Sequence, residues 1–145
     1  MNESKIIEFL PEHLLMFDDI EGRLDKVDRL KTGELHKQLG PSYSLDVDGK
    51  IVWCGGIHLL WPGVGESWVC IRAGCEGPHA VKMIRDMLER EIRKNHLVRV
   101  HAIIPVGQKW ARFERFLGFS YEGTMRKFAP GGVDKAMWAR VNYGN

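Results

Sequence analysis

Between Ser42 and Arg72 the side chains alternate, and two turn signals cut the alternation into pieces of strand length. Tyr43, Leu45 and Val47 alternate with polar residues, Asp48-Gly49 has the residue types of a two-residue hairpin turn, and Ile51-Val52-Trp53 resumes the pattern. Trp61-Pro62-Gly63-Val64-Gly65 then turns the chain back into Glu66–Arg72. Three strands joined by connections this short are antiparallel, because a parallel return needs a crossover of a dozen or more residues. After the turn-rich Ala73-Gly74-Cys75-Glu76-Gly77-Pro78 the period changes. Ala80, Ile84, Met87, Leu88 and Ile92 fall on one helical face, which runs up to Lys94.

The flanking segments complete the pattern. Ser4–Phe9 reads as a first strand, and Pro11 suits the first turn of a helix carrying Leu14, Leu15 and Phe17. Ile20, Leu24, Val27 and Leu30 recur at helical spacing, which predicts an amphipathic helix from about Ile20 to Leu30, with a further short helical turn at Thr32–Leu39. Leu97–Ile104 is a β-branched strand and Lys109–Leu117 is helical. Gly118–Lys127 and Val133–Val141 are two closing strands around Pro130-Gly131-Gly132. The order β–α–α–β–β–β–α–β–α–β–β predicts an α/β fold, with a central mixed, mainly antiparallel sheet flanked by helices. No linker or repeat offers a boundary, so residues 1–145 read as one domain. At 44% hydrophobic, a chain this long buries about 68–70% of its unfolded surface and needs no staples.

Charge excludes several partner classes. The 21 Lys+Arg and 19 Asp+Glu leave +2, with no block of five like charges, so neither a nucleic-acid partner nor a polybasic membrane anchor is expected. The longest apolar stretches, such as Ile57–Trp61, fall far short of the ~20 residues of a membrane span, and the start lacks a signal layout, so a cytoplasmic protein is expected. Cys54, Cys70 and Cys75 lie in or beside strand-like segments and read as buried thiols; no metal-ligating spacing occurs.

The element order, with the helix-to-strand segment Trp110-Ala111-Arg112-Phe113-Glu114-Arg115-Phe116-Leu117-Gly118-Phe119 and then Glu122-Gly123, resembles the GNAT family of acyl-CoA-dependent N-acetyltransferases over nearly the whole chain. The ending Met125-Arg126-Lys127-Phe128-Ala129-Pro130-Gly131-Gly132-Val133-Asp134, then Met137-Trp138-Ala139-Arg140, is similar to divergent GNAT-like proteins encoded by tailed phages.

The resemblance implies an acyl-CoA, acetyl-CoA above all, as co-substrate, held between the fourth and fifth strands, and a small or protein amine as acceptor. The family holds the pyrophosphate on backbone N–H groups at the start of the central helix, where the dipole favours an anion. Here that junction keeps Arg72, Gly74 and Gly77 and continues through His79 and Ala80, but Pro78 lacks an N–H and Glu76 adds a negative charge. A Gly-rich strand-to-helix turn is the alternative reading of the same residues. The main chain of Cys70, Ile71 and Arg72 would pair with the pantetheine arm. Lys82 and Arg85 would offset Glu76, and Gln108, Lys109 and Arg112 would reach the cofactor from the last helix; the alternative reading of each, and the commoner one for such residues, is a solvated helix face.

Transfer also needs a base for the attacking amine. Glu66, opening its strand, and His58 on the neighbouring strand are the candidates, against solvated-edge and core readings respectively. Glu114 stands where many family members carry a Tyr that protonates the departing thiolate, and a carboxylate, ionised near pH 7 unless buried, is a poor donor. Tyr121 follows the Gly instead of preceding it and is not assigned that role. Trp53, Trp68, Trp110 and Trp138 are expected to pack, whereas Trp61, beside Pro62-Gly63, offers an aromatic surface for a protein partner. The competing expectation is a catalytically silent copy of the fold, used as an interaction or virion-associated component.

Overall fold

The computed structural model describes residues 3–17 and 26–142. The elements run β1 (Ser4–Glu8), a 3-10 turn (Pro11–Met16), α1 (Lys26–Leu39), β2 (Ser42–Val47), β3 (Lys50–Trp61), β4 (Val64–Ile71), α2 (Pro78–Lys94), β5 (Arg99–Pro105), α3 (Gln108–Phe116), β6 (Ser120–Ala129) and β7 (Val133–Val141). They form one seven-stranded sheet in the order β1-β2-β3-β4-β5-β7-β6. All neighbours pair antiparallel except β4 and β5. The expected α/β class and mixed sheet are both present.

The first helical segment is a 3-10 turn, with Pro11 at its start and the Leu10 carbonyl accepting from the His13 N–H. Residues 18–25 lie outside the described residues, and with them most of the helix expected from Ile20. From Lys26 the chain forms one helix, α1, that absorbs Thr32–Leu39. Its apolar positions do not form the expected buried stripe: Val27 and Leu35 are exposed, and only Gly33 is buried. The reason is close backbone approach, since a Cβ at Gly33 would stand 2.7 Å from Pro11 Cα. α1 is thus seated on the 3-10 turn by the absence of a side chain.

Two apolar layers cover the sheet. On one face Ile84, Met87, Leu88 and Ile92 of α2 pack against Leu45, Trp53, Ile57 and Val100. On the other, Phe9, Leu14 and Phe17 pack with Ile51 and Cys54, and Trp68 and Cys70 lean onto them. Strand periodicity does this sorting: in β4, Trp68 and Cys70 join the second cluster while Val69 and Ile71 join the first. Trp53 and Trp138 are core, whereas Trp61 is 63% exposed, as the turn beside it predicts. Cys54 is buried, Cys70 and Cys75 are half-buried, and all three are free thiols. No helix among the described residues is long and apolar enough to cross a membrane.

Candidate active site

The parallel pairing of β4 with β5 lasts three residues, Val64↔Arg99, Gly65↔Val100 and Glu66↔His101. Past that rung the ladder stops, and a cavity of about 820 Å³ occupies the opening. It runs through the sheet from one layer to the other. Leu14, Phe17 and His36 line it on the α1 side, and Ile84, Met87 and Leu88 on the α2 side.

The walls of the opening carry unpaired main chain. Arg72 donates its N–H to the Val52 carbonyl. In an antiparallel ladder successive residues alternate between facing the partner and facing away, so Val69 and Ile71, beyond the last β4–β5 rung, turn their N–H and C=O groups toward the gap. Of the stretch Cys70–Arg72, Ile71 is therefore the residue whose main chain faces the cavity. The Arg72 side chain is spent elsewhere: its Nε donates to the Ile51 carbonyl at 2.9 Å, and its guanidinium lies over the Phe17 ring.

Glu66 sits at the vertex. Its neighbours across the two ladders are His58 on β3 and His101 on β5. The Glu66 Oε1 accepts from His101 Nε2 at 2.9 Å. With the proton on Nε2, an assignment made from the network, the buried His101 Nδ1 is left without a partner. His58 does not border the cavity. Its Nε2 is hydrogen-bonded at 2.7 Å to Nδ1 of His36, which stacks on Trp68 with ring centroids 3.7 Å apart. Burial, and then the repulsion of His58, pushes the His36 pKa down to about 4, so His36 is neutral at pH 7. Burial also lowers the His58 pKa, partly offset by the nearby Glu66 charge. Of the two candidate bases, Glu66 borders the cavity and His58 stands behind His36.

The junction before α2 is an exposed loop. Gly74 has φ +81°, the left-handed region that favours glycine, and Cys75 spends its N–H on the Arg72 carbonyl. Gly77 caps α2 without a side-chain bond, and Pro78 occupies the first turn. The N–H groups of His79 and Ala80 fall in the helix's first turn, which has no intrahelical acceptor for them. The position of this turn is set by the core, because Trp53 Nε1 donates to the Ala80 carbonyl at 3.1 Å. Glu76 faces α3, where Lys109 Nζ approaches its Oε1 at 3.5 Å. The remaining expected cofactor contacts lie outside the cavity lining: the His79 imidazole meets Ser4 Oγ at 3.2 Å, Lys82 pairs with Asp86, and Gln108 and Arg112 are exposed on α3.

Glu114 meets the buried exception of its sequence reading: it is 4% exposed and borders the cavity, and burial raises its pKa to about 7. A helical period that turns position 114 inward is the signal that predicts this. Among the described residues no group of three metal-ligating side chains is assembled.

No protein-family model and no curated protein matches the chain in sequence. Solved structures do match in fold. Ard1 from Thermoplasma volcanium superposes with a TM-score of 0.82 at 12% identity, over 97% of this chain and 99% of that one. An acetyltransferase of the GNAT family from Streptococcus pneumoniae gives 0.67 at 14% identity, over 97% and 100%. RimL, a ribosomal L7/L12 α-N-protein acetyltransferase solved with coenzyme A, gives 0.73 at 13% identity, over 96% and 94%. The fold is that of the GNAT acetyltransferases. Within this GNAT fold the parting of β4 and β5, the loop into α2 and the inward face of α3 surround one cavity.

Proposed function

We propose that the chain is an acetyl-CoA-dependent N-acetyltransferase acting on a small or protein amine. The observation that carries this reading is the parting of β4 from β5 immediately after Glu66↔His101, which leaves a cavity of about 820 Å³ with a carboxylate at its vertex. The thioester arm would lie along the free main chain of Val69 and Ile71. The diphosphate would sit on the first turn of α2, where unpaired N–H groups and the helix dipole favour an anion. The amine would arrive from the α1 side, where Glu66 shares a strand face with Trp68, and Glu66 would take its proton directly or through water. His101 orients that carboxylate. Acetyl-CoA supplies the activated acyl group.

A second reading is a catalytically silent GNAT-fold component, such as a phage-encoded interaction or virion-associated protein. It is favoured by one observation: the diphosphate loop carries Glu76, has no N–H at Pro78, and spends that of Cys75.

Titrating acetyl-CoA while following the melting transition separates the two. Ligand at 100 times its dissociation constant stabilises the folded state by about 2.7 kcal/mol, and the acetyltransferase reading predicts such a shift. No shift at millimolar acetyl-CoA overturns it in favour of the silent copy.

A further inference from the structure

On the α1 side of the sheet the cavity has opposite charges at its two ends and an aromatic wall between them. Glu66, Trp68 and Cys70 point to one face of β4, and Arg72, just past its end, continues the alternation. All four border the cavity. At the rise of a strand, Glu66 and Arg72 stand about 20 Å apart along the chain. The Arg72 guanidinium lies 5.6 Å from the centroid of the Phe17 ring. Lys50 precedes Ile51, whose carbonyl holds the Arg72 Nε, and it too borders the cavity, so two cations stand at that end.

The wall between the charges is built from Leu14, Phe17, Trp68 and His36. Trp68 Nε1 is buried without a partner, so what the half-buried indole exposes is carbon. His36 lies flat on that ring at an interplanar angle of 7°, and its Nδ1 is tied to His58 at 2.7 Å, so leaving the wall would break both the stack and the bond. Being neutral at pH 7, the imidazole adds ring surface to the wall and no charge. Of the carboxylates bordering the cavity among the described residues, Glu76 faces Lys109 and Glu114 is buried on α3, which leaves Glu66 for this side.

We propose that the acceptor is a small primary amine with one positive charge and an apolar body of aromatic size, its ammonium at Glu66 and its body against Trp68, His36 and Phe17. This inference rests on the acetyltransferase reading above and names the substrate class of that site. Rings pack well against such a surface, edge or face, and the body gains by leaving water. A polyamine would lay its second ammonium on an apolar wall, with Arg72 and Lys50 beyond it, and lose hydration for no partner. An α-amino acid would hold its own carboxylate two bonds from the nitrogen, against Glu66, where like charges repel.

The test compares acceptors on the full-length protein with acetyl-CoA, following thiol release. Phenylbutylamine and ethylamine have similar basicity, so they differ in the body alone. Phenylbutylamine is expected to give a kcat/KM at least about tenfold above ethylamine, mostly through KM, as filling an apolar pocket does. Cadaverine and ε-aminocaproate are expected to fall below phenylbutylamine by a similar factor. His36→Asp removes the stacked ring and puts a carboxylate on the wall, and should narrow the preference for phenylbutylamine over cadaverine at least about fivefold. A merely structural loss lowers both acceptors together, and an unchanged ratio in the folded variant overturns the placement of the body on this wall. Should the variant not fold, the wild-type ratios decide. Turnover of hydroxylamine without a preference for phenylbutylamine, or with one for cadaverine or ε-aminocaproate, overturns the acceptor class and leaves the acetyltransferase reading standing. A wild type that releases no thiol with hydroxylamine or any of these amines overturns both.

Discussion

Glu66 Oε1 lies 2.9 Å from Nε2 of His101, its partner on the last rung that β4 and β5 share. The carboxylate is therefore pinned where the sheet begins to open. Replacing Glu66 by Gln keeps the shape and removes the base. Thiol release from acetyl-CoA with an amine acceptor is expected to fall by about 10²–10⁴-fold while acetyl-CoA affinity holds. His101→Phe, which only frees the carboxylate to wander, should cost less than Glu66→Gln; steady-state kinetics on the two variants ranks them.

The histidines give the molecule an acid limb. His36, held at about 4, and His13 and His58, also lowered by burial, bind protons more readily in the unfolded chain than in the folded one. Their contribution to stability is complete above pH 6.5 and is lost as pH falls toward 4, because the unfolded state then takes up protons that the folded state refuses. Melting temperature should decline over that window. In His36→Asn the decline should be shallower by up to about one proton's worth of slope, as measured by denaturant titrations at about pH 4.5, 5.5 and 7.

Glu76 puts a negative charge in the loop assigned to the diphosphate, with Lys109 as a long, exposed partner at 3.5 Å. Such a surface pair contributes roughly 0–1 kcal/mol. Glu76→Gln should leave the melting temperature almost unchanged and tighten acetyl-CoA binding by about two- to fivefold at low salt, with the gain fading as salt screens it. Calorimetry at two ionic strengths checks this, and an unchanged or weaker affinity at low salt would remove the diphosphate from that loop.

Two tryptophans should behave oppositely. Trp53 is fully buried and its indole holds the Ala80 carbonyl at the start of α2. Trp53→Phe loses that bond, on the order of 1 kcal/mol, leaves a gap, and should weaken acetyl-CoA binding through the displaced helix start. Trp61, at 63% exposure, should tolerate Ala within about 0.5 kcal/mol and leave acetyl-CoA affinity intact. Thermal melts with and without acetyl-CoA compare the pair.

Much of this architecture was legible before folding, because it depends on local periodicity. The alternation of Tyr43, Leu45 and Val47 around Asp48-Gly49, and the helical stripe from Ala80 to Ile92, assign strand or helix from the positions of apolar side chains alone. Glu66 could be named on the family resemblance, as the carboxylate at the start of the strand that would line the thioester. What the stripe rule could not foresee is α1, seated on Pro11 by Gly33, since close backbone approach leaves no mark on hydrophobic spacing. The length of the β4–β5 ladder was equally hidden: it ends at Glu66↔His101, and the cavity lies beyond that rung. Glu114 shows the difference most plainly. Its chemical type is written in the chain, but whether it is an anion or an acid depends on how much water the folded protein leaves around it, and only the packed tertiary structure sets that.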